Sequence, residues 1–487
     1  MPLDDIRQAR LEKIDKLKKA GSNPYPGSAS RTHIISKALD DFDKLAESKG
    51  NVVLTGRVMA KREHGGSTFL DIYDGTDKIQ LLFKEDVVGE KEYRFFLETI
   101  DVGDFVEAGG FLFKTKREER TLEVKNYKIL SKSLLPLPEK WHGLQDVEER
   151  YRKRYLDLLF NIEEKNKFKA RARIIEHIRQ YLLADGFIEV ETPILQTLPG
   201  GANARPFETH LNTLDIDLYL RIAPELYLKR LLVGGFDKVF EFAKNFRNEG
   251  MDREHNPEFT MLEFYAAYWD YEIMMAFVEK MLEHVVEKNL GSTKINYQDK
   301  TIDFKGPFKR VAFNDLFKEY SGMDYDESSE EDLKKKAKEL EIKIEKSMTK
   351  GNIGDEIYKK VARPNIVEPT FIINHPLEIS PLAKKLEEDQ NHVARFQLVV
   401  GGMEVMNGFS ELNDPIDQRE RFEEQEKAAK KGNEETQRMD QDYIEAMEYG
   451  MPPAAGIGIG IDRITALLTD SHSIREIILF PLMKPRE

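Results

Sequence analysis

The run Gly456-Ile457-Gly458-Ile459-Gly460-Ile461-Asp462-Arg463 narrows what this chain can build more than any other stretch. Its glycines fall at every second residue. A dinucleotide-binding turn needs the spacing G-x-G-x-x-G, so that reading is excluded. In a strand, alternate residues share one face, and the three glycines would leave a flat, bare strip of backbone. Two readings stay open here. A planar ligand lies on the strip, with Arg463 just beyond at the start of a helix 463–468, or the strip is a tightly packed strand. The chain has no Walker A sequence, no G-x-S-x-G and no H-E-x-x-H.

A second stretch is chemically dense. Phe246-Arg247-Asn248-Glu249-Gly250 is followed by Arg253-Glu254-His255-Asn256-Pro257-Glu258-Phe259 and by Met261-Leu262-Glu263-Phe264-Tyr265. Arginines, carboxylates, a histidine and aromatic rings thus gather around a turn containing Gly and Pro. Such a set can hold a phosphate, an amino acid and a flat ring together. It predicts an enzyme that activates its substrate with ATP.

Composition sets limits on that enzyme. A chain of 487 residues predicts two to three domains, and 40% apolar with 33% charged residues describes an ordinary soluble globular protein. The net charge of −14 argues against a nucleic-acid binder, but recognition depends on where the positive charge sits. With no cysteine, disulfides, thiolate zinc sites and thiol nucleophiles are excluded. No apolar run approaches the roughly eighteen residues of a membrane span. The start, Met1-Pro2-Leu3-Asp4-Asp5, lacks the apolar core of a secretory signal. A cytoplasmic protein with no membrane partner is expected.

Patterning divides the chain. Residues 3–19 predict a helix with Leu3, Leu11, Ile14 and Leu17 on its apolar side and Arg7, Arg10, Lys13 and Lys16 as a basic surface. It is either a packed helix or an arm that touches RNA phosphates. Residues 51–135 read as β, with apolar runs at 52–59, 69–72, 79–83, 102–106, 109–113 and 122–129 and a helix-like insert near 90–100. They predict a small closed barrel of five strands, of the OB type. Such barrels stack bases on exposed aromatics. Phe69 and Gln80 suit that use, and Phe69 serves equally well as core. From Glu148 the pattern turns helical, and Gly186 stops a helix. Strands are expected at 187–193, 218–222 and 239–242, with a helix from Pro224 to Leu232. The Lys/Glu-rich run 327–347 reads as a solvated helical insertion, and 417–445 is similarly charged. The expected division is residues 1–48 as N-terminal helix and connection, 49–135 as the barrel, and 136–150 as linker. Residues 151–487 form a larger domain with a helical insertion at about 310–365.

In order, these pieces resemble the class II aminoacyl-tRNA synthetases at their three signature regions, here 186–193, 246–268 and 456–468. Within that class the chain is similar to lysyl-tRNA synthetases of bacterial type. The matching runs are Lys140-Trp141-His142-Gly143-Leu144, Arg150-Tyr151-Arg152-Lys153-Arg154-Tyr155-Leu156-Asp157-Leu158, Gly200-Gly201-Ala202-Asn203-Ala204-Arg205-Pro206-Phe207 and Asn407-Gly408-Phe409-Ser410-Glu411-Leu412-Asn413-Asp414. The resemblance covers essentially the whole chain. It implies an α+β protein: a five-stranded OB barrel for the anticodon, then a catalytic domain of antiparallel sheet flanked by helices. It also implies L-lysine, ATP and tRNA(Lys) as partners, Mg²⁺ as cofactor, and a homodimer built through 186–193.

The same resemblance implies residue roles. Glu225 meets the lysine α-ammonium near the Gly201 backbone. Arg247 meets the lysine carboxylate and the ATP α-phosphate. Glu411 meets the ε-ammonium with Tyr265, Glu263 lies close by, and Asn407 contacts the lysine and its surroundings. Adenine lies between Phe259 and Arg463 with Glu249 near its amino group. Arg253 and His255 reach the β- and γ-phosphates, and Asn256 belongs to the same ATP site. The physical reading runs parallel. Lysine carries two cations and one anion, so its site needs carboxylates at two places and a cation at a third. An aspartate pocket would need a cation where Glu411 stands. Two positions depart from the family. Mg²⁺ is usually offered two glutamates; Glu404 matches one, but Gln397 stands for the other and brings no charge. Weaker or rearranged metal binding is expected there. On the barrel, Phe69 and Gln80 would read a central anticodon uridine, and Lys61 stands where many bacterial members carry an arginine.

Overall fold

The computed structural model describes residues 2–138, 146–202, 204–345, 348–430 and 438–486. The run Lys140-Trp141-His142-Gly143-Leu144 and Asn203 lie outside them. The chain divides into two compact units, Met1–Arg150 with Tyr155–Phe160, and Tyr151–Arg154 with Asn161–Glu487.

In the first unit the expected N-terminal helix spans Leu3–Lys19 and buries Ile14 and Leu17. Part of its basic surface is committed locally. Arg10 donates to the carbonyls of Val102, Ser133 and Leu135, and Lys13 pairs with Asp101 at 2.6 Å. These contacts favour the packed helix over a free RNA-binding arm. The barrel strands are β1 Val52–His64, β2 Ser67–Tyr73, β3 Lys78–Lys84, β4 Phe105–Lys114 and β5 Arg120–Ser131. They close in the order β1-β2-β3-β5-β4. From Phe105 on, the apolar runs at 102–106 and 109–113 belong to one strand, β4. Opposite Gly109 and Gly110 the partner β5 bulges at Lys125, and a Cβ on Gly110 would overlap the Glu123 carbonyl. Leu54, Val58, Leu70, Ile72, Leu81 and Phe83 fill the interior. Phe96, from the helix Glu90–Thr99, stacks on Phe83 with centroids 4.0 Å apart.

A second bulge, between Val58 and Ala60, corrects one expectation. Val58 pairs with Ile72, but Ala60 pairs with Asp71, Lys61 with Leu70 and Arg62 with Phe69. A one-residue slip exchanges the faces of every later side chain. Lys61 therefore shares a face with buried Leu70, and its ammonium donates to the carbonyls of Leu97 and Ile100. Arg62 is the cation beside Phe69.

In the second unit the first long helix is Ile162–Ala184, followed by Gly186 at φ +83°. Its strands begin with β6 Ile188–Glu189, β7 Leu195–Gln196, β8 Glu208–Leu211 and β9 Ile216–Leu220. The helix Glu225–Val233 precedes β10 Lys238–Phe246 and β11 Glu258–Ala267. Then come β12 Lys294–Tyr297, β13 Lys300–Asp303, β14 Lys309–Ala312, β15 Thr370–Pro376, β16 His392–Val400, β17 Met403–Ser410 and β18 Ala454–Gly460. Eight of these form one sheet in the order β14-β15-β16-β17-β18-β11-β10-β6. Its pairs are antiparallel except β14 with β15 and β10 with β6. The strand expected over 187–193 is only the two-residue β6 at the sheet edge.

One face of this sheet is core. Phe240, Leu262, Phe264, Phe396, Leu398, Met406, Ile457 and Ile459 are buried together with Met274, Val278 and Met281 of the helix Tyr271–Leu290. Each such side chain contributes about 1.5–3 kcal/mol on burial. Strand alternation then sends the intervening residues to the opposite face.

The insertion corrects another expectation. Its helices Phe313–Ser321, Glu330–Glu339 and Lys350–Val361 share a buried core with Ile372 and Val399 of the sheet. It is a packed layer, and among the described residues of the Lys/Glu-rich run 327–347 the helix is Glu330–Glu339. Among the described residues no helix is long and apolar enough to cross a membrane.

Candidate active site

The open face of the sheet carries two cross-strand rows. Gln397 pairs with Asn407, Asn407 with Gly458, Gly458 with Glu263 and Glu263 with Glu241. One step along, Arg395 pairs with Phe409, Phe409 with Gly456, Gly456 with Tyr265 and Tyr265 with Val239. Paired residues share a face, so the polar side chains stand on both sides of a glycine centre line. The bare strip is required by its neighbours: a Cβ at Gly456 would overlap Glu411 and Tyr265, and one at Gly458 would overlap Met261. A cavity of about 460 Å³ lies over this face, within the range of small-molecule sites. Gly201, Glu225, Arg247, Glu249, His255, Asn256, Phe259, Glu263, Tyr265, Gln397, Glu404, Asn407 and Arg463 all line it. Thirteen of the expected positions thus converge, although they span more than 260 residues of chain.

Two expected residues stand apart from the lining. Arg253 is exposed on the loop between β10 and β11, where its carbonyl accepts from the Ile474 amide. Glu411 is 1% exposed and sits behind Gly456.

One end of the cavity is a buried carboxylate wall. Glu225, Glu263 and Glu411 are all buried, and Tyr265 donates its hydroxyl to Glu263 at 2.8 Å. Gly201, at φ +85°, lies so close to Glu225 that an added Cβ would stand 2.8 Å from the glutamate Cβ. Lys229, buried on the helix Glu225–Val233, reaches Glu225 and Glu411 at 2.5 Å each. Burial, then crowding by Glu225, pushes the Glu263 carboxyl up to about 8. Burial also raises Glu411, but there Lys229 pulls in the other direction. The nearby Glu241 carboxylate is matched separately by Arg221 at 2.5 Å.

The other end is open and built from longer, more exposed side chains. Arg463 starts a helix, Ile461–Leu468, and donates to the Glu404 carbonyl at 2.8 Å and to His255 Nε2 at 3.1 Å. His255 Nδ1 faces Asp252 at 2.8 Å, which places the ring proton on Nδ1. The preceding residue, Asp462, accepts from the Thr260 amide at 2.9 Å and pairs with Arg171 at 2.6 Å, pinning the helix start to β11. Arg247 stands 5.0 Å over the Phe259 ring.

The metal position can be tested against its side chains. Gln397 Nε2 donates to Glu404 Oε2 at 3.2 Å. Turning the amide over brings its carbonyl oxygen beside the carboxylate instead. Among the described residues no group of three or more His, Asp or Glu could hold a metal alone. One carboxylate with one amide oxygen fits an ion that completes its shell with phosphate oxygens, as Mg²⁺ does.

Three features escaped the sequence reading. Lys229 lies four residues after Glu225, a spacing that brings side chains together on a helix. Arg395 is half-buried in the cavity lining and donates to Asn407 at 2.8 Å. Thr349, Asn352, Asp355 and Lys359, from the insertion, also line the cavity. They recur at three- and four-residue intervals, the face of one helix.

On the barrel, Phe69 is half-buried and Gln80 shares its face, because Phe69 pairs with Leu82 and Asp71 with Gln80. The Gln80 carbonyl oxygen accepts from the Thr121 hydroxyl, which leaves its amide nitrogen as the outward donor. Arg62 forms a two-point pair with Asp71 on this face.

Comparison with known proteins divides the chain in the same way. Residues 146–484 match the family described as tRNA synthetases class II (D, K and N), and residues 52–130 match the OB-fold nucleic acid binding domain. A lysine–tRNA ligase of Carboxydothermus hydrogenoformans is 50% identical over 486 residues, covering 100% of this chain and 99% of the relative. One from Pelotomaculum thermopropionicum is 50% identical over 488 residues, covering 100% and 96%. One from Aquifex aeolicus is 53% identical over 438 residues, covering 90% of this chain and 73% of its own length.

Proposed function

The chain belongs to the class II tRNA synthetases (D, K and N), and from that premise we propose that it is a lysine–tRNA ligase. It joins L-lysine to ATP as lysyl-adenylate, then passes the lysyl group to the terminal ribose of tRNA(Lys). The observation that carries the choice of amino acid is the buried wall of Glu225, Glu263 and Glu411 at the closed end of the cavity. A side chain ending in an ammonium suits it, and one ending in a carboxylate is repelled.

Each step follows from the arrangement. The α-ammonium sits at Glu225 and Gly201, and the ε-ammonium extends toward Glu263, Tyr265 and Glu411, with Asn407 alongside. Arg247 takes the lysine carboxylate and the α-phosphate together, which sets oxygen and phosphorus for in-line attack. His255 receives the departing pyrophosphate, Phe259 and Arg463 enclose the adenine with Asn256 at its edge, and Glu249 accepts from the adenine amino group. Arg253, on the exposed loop, reaches the phosphates only from outside the cavity wall. Mg²⁺ at Glu404 and Gln397 would neutralise charge on the phosphates. No protein nucleophile is needed, which agrees with a chain that has no cysteine.

The barrel reads the anticodon through Phe69 and Gln80, with Arg62 in the place foreseen for Lys61. The working protein is a homodimer of the cytoplasm, joined along the sheet edge where Ile188, Ile194 and Leu195 are exposed. ATP–pyrophosphate exchange with a panel of amino acids tests the assignment. Lysine is expected to support exchange; exchange with aspartate or asparagine but not lysine overturns it. Charging of tRNA(Lys) by Phe69→Ala tests the barrel: charging falls about tenfold or more while exchange is unchanged.

A further inference from the structure

Lys229 is a buried cation that the reaction itself does not use. It sits on the helix Glu225–Val233, one turn after Glu225, and is 0% exposed. Its ammonium takes Oε1 of Glu225 and Oε2 of Glu411 at 2.5 Å each, with the Phe409 ring 5.2 Å away. Glu225 lines the cavity and Lys229 does not. The ammonium therefore approaches both carboxylates from behind the wall. The other oxygen of Glu411, Oε1, lies against the bare Cα of Gly456, which does line the cavity; neither oxygen has a directed hydrogen bond, so Oε2 is held by the charge of Lys229 and Oε1 is left to the substrate side.

We propose that Lys229 is a positioning and specificity residue for the amino-acid substrate: it grips Glu225 and Glu411 from behind, turns their free oxygens to the substrate side, and fixes the charge of the wall. Three carboxylates stand against this one ammonium, so with all three ionised against a bound substrate the wall carries two net negative charges. A substrate with two ammonium groups matches that number, while its carboxylate goes to Arg247. A wall without Lys229 would hold three buried carboxylates and would take up protons instead of ordering two cations. A wall built with two carboxylates and no internal cation would have the same formal charge, but nothing would fix the directions of the oxygens. The helix supplies both members of the Glu225–Lys229 pair, so the spacing between grip and carboxylate is set by backbone geometry.

This inference rests on the lysine–tRNA ligase reading, and the experiment separates the two. Lysine- and ornithine-dependent pyrophosphate exchange is measured for the unaltered protein, Lys229→Met and Lys229→Arg, each over a pH series. Lack of lysine exchange by the unaltered protein defeats the functional reading itself. If that exchange is present, Lys229→Met is expected to raise the KM for lysine at least about tenfold, with the KM for ATP within about twofold. Its lysine kcat/KM profile should move to higher pH, and its preference for lysine over ornithine should collapse. Lys229→Arg keeps the charge but changes the geometry. It should restore the pH profile and recover only part of the preference for lysine. A merely structural lysine would lower activity with both amino acids alike and raise both KM values together; that result overturns the proposal. So does an unchanged lysine KM and preference in a folded Lys229→Met. Should Lys229→Met fail to fold, Lys229→Gln replaces it with the same readout of amino-acid preference.

Discussion

The two ends of the cavity solve the binding of charge in opposite ways. At the closed end, Glu225, Glu263 and Glu411 are held at 7%, 3% and 1% exposure, and their directions are fixed by Tyr265, Gly201 and Lys229. At the open end, His255 and Glu249 are exposed, and Arg463 is held through a backbone carbonyl and an imidazole. Burial makes the closed end selective, because an unmatched charge there has no water to turn to. Exposure makes the open end tolerant: charges are screened and side chains can follow a polyphosphate. Discrimination between amino acids should therefore live in the wall, and handling of phosphate in the mobile cations and the metal position.

The strongest attack on this contrast is at Arg247, which spans both ends. Arg247→Lys keeps the charge but loses the planar fork, and kcat for exchange is expected to fall about 10²–10³-fold. A loss confined to one substrate's KM would mean that it serves one end only. Next is Gly456→Ala, whose new Cβ meets Glu411 and Tyr265. We expect the lysine KM to rise about 10- to 100-fold with ATP nearly unaffected. Equal damage to both KM values would erase the distinction between the ends.

A smaller effect follows from pH. The Glu263 carboxyl is held protonated up to about 8 by burial and by Glu225, and the substrate ammonium needs it ionised. Lysine binding then expels a proton, so the KM for lysine should fall about fivefold as pH rises from about 7 to about 8, while the KM for ATP stays flat. The stability term has the opposite slope. Unfolded glutamate ionises near 4.3 whereas folded Glu263 keeps its proton to about 8. Its contribution is complete below the unfolded value and is lost as pH climbs through that window. A melting series without lysine checks the sign. The smallest change is expected at Gln397→Glu, which restores a second carboxylate beside Glu404. Half-saturation by Mg²⁺ should move down by about two- to threefold, and an unchanged requirement would count against the metal position.

How much of this was legible depended on whether a feature was local. The glycine strip announced its strand and its bare face, because period two needs only five residues. The helix after Pro224 and the strand at 239–242, now part of β10, were similarly readable. Lys229 was visible as part of a helix but not as a counter-cation, since Glu411 arrives from 182 residues away. The insertion residues Thr349, Asn352, Asp355 and Lys359 follow the charged run 327–347, and nothing local tied their helix face to a site built on distant strands. Lys61 was misplaced for a physical reason: the bulge after Val58 costs one residue of register, and no periodic pattern anticipates a bulge.

That bulge has an engineering consequence. The cation next to Phe69 is chosen by the pairing after the bulge and not by which residue is written at position 61. Removing Met59 would take out the surplus residue and flatten the strand, yet Lys61 would still stand opposite Leu70 and Arg62 opposite Phe69. The same cation would then face the ring on a strand one residue shorter. An arginine written at position 61 would instead point to the carbonyls of Leu97 and Ile100 that Lys61 now meets.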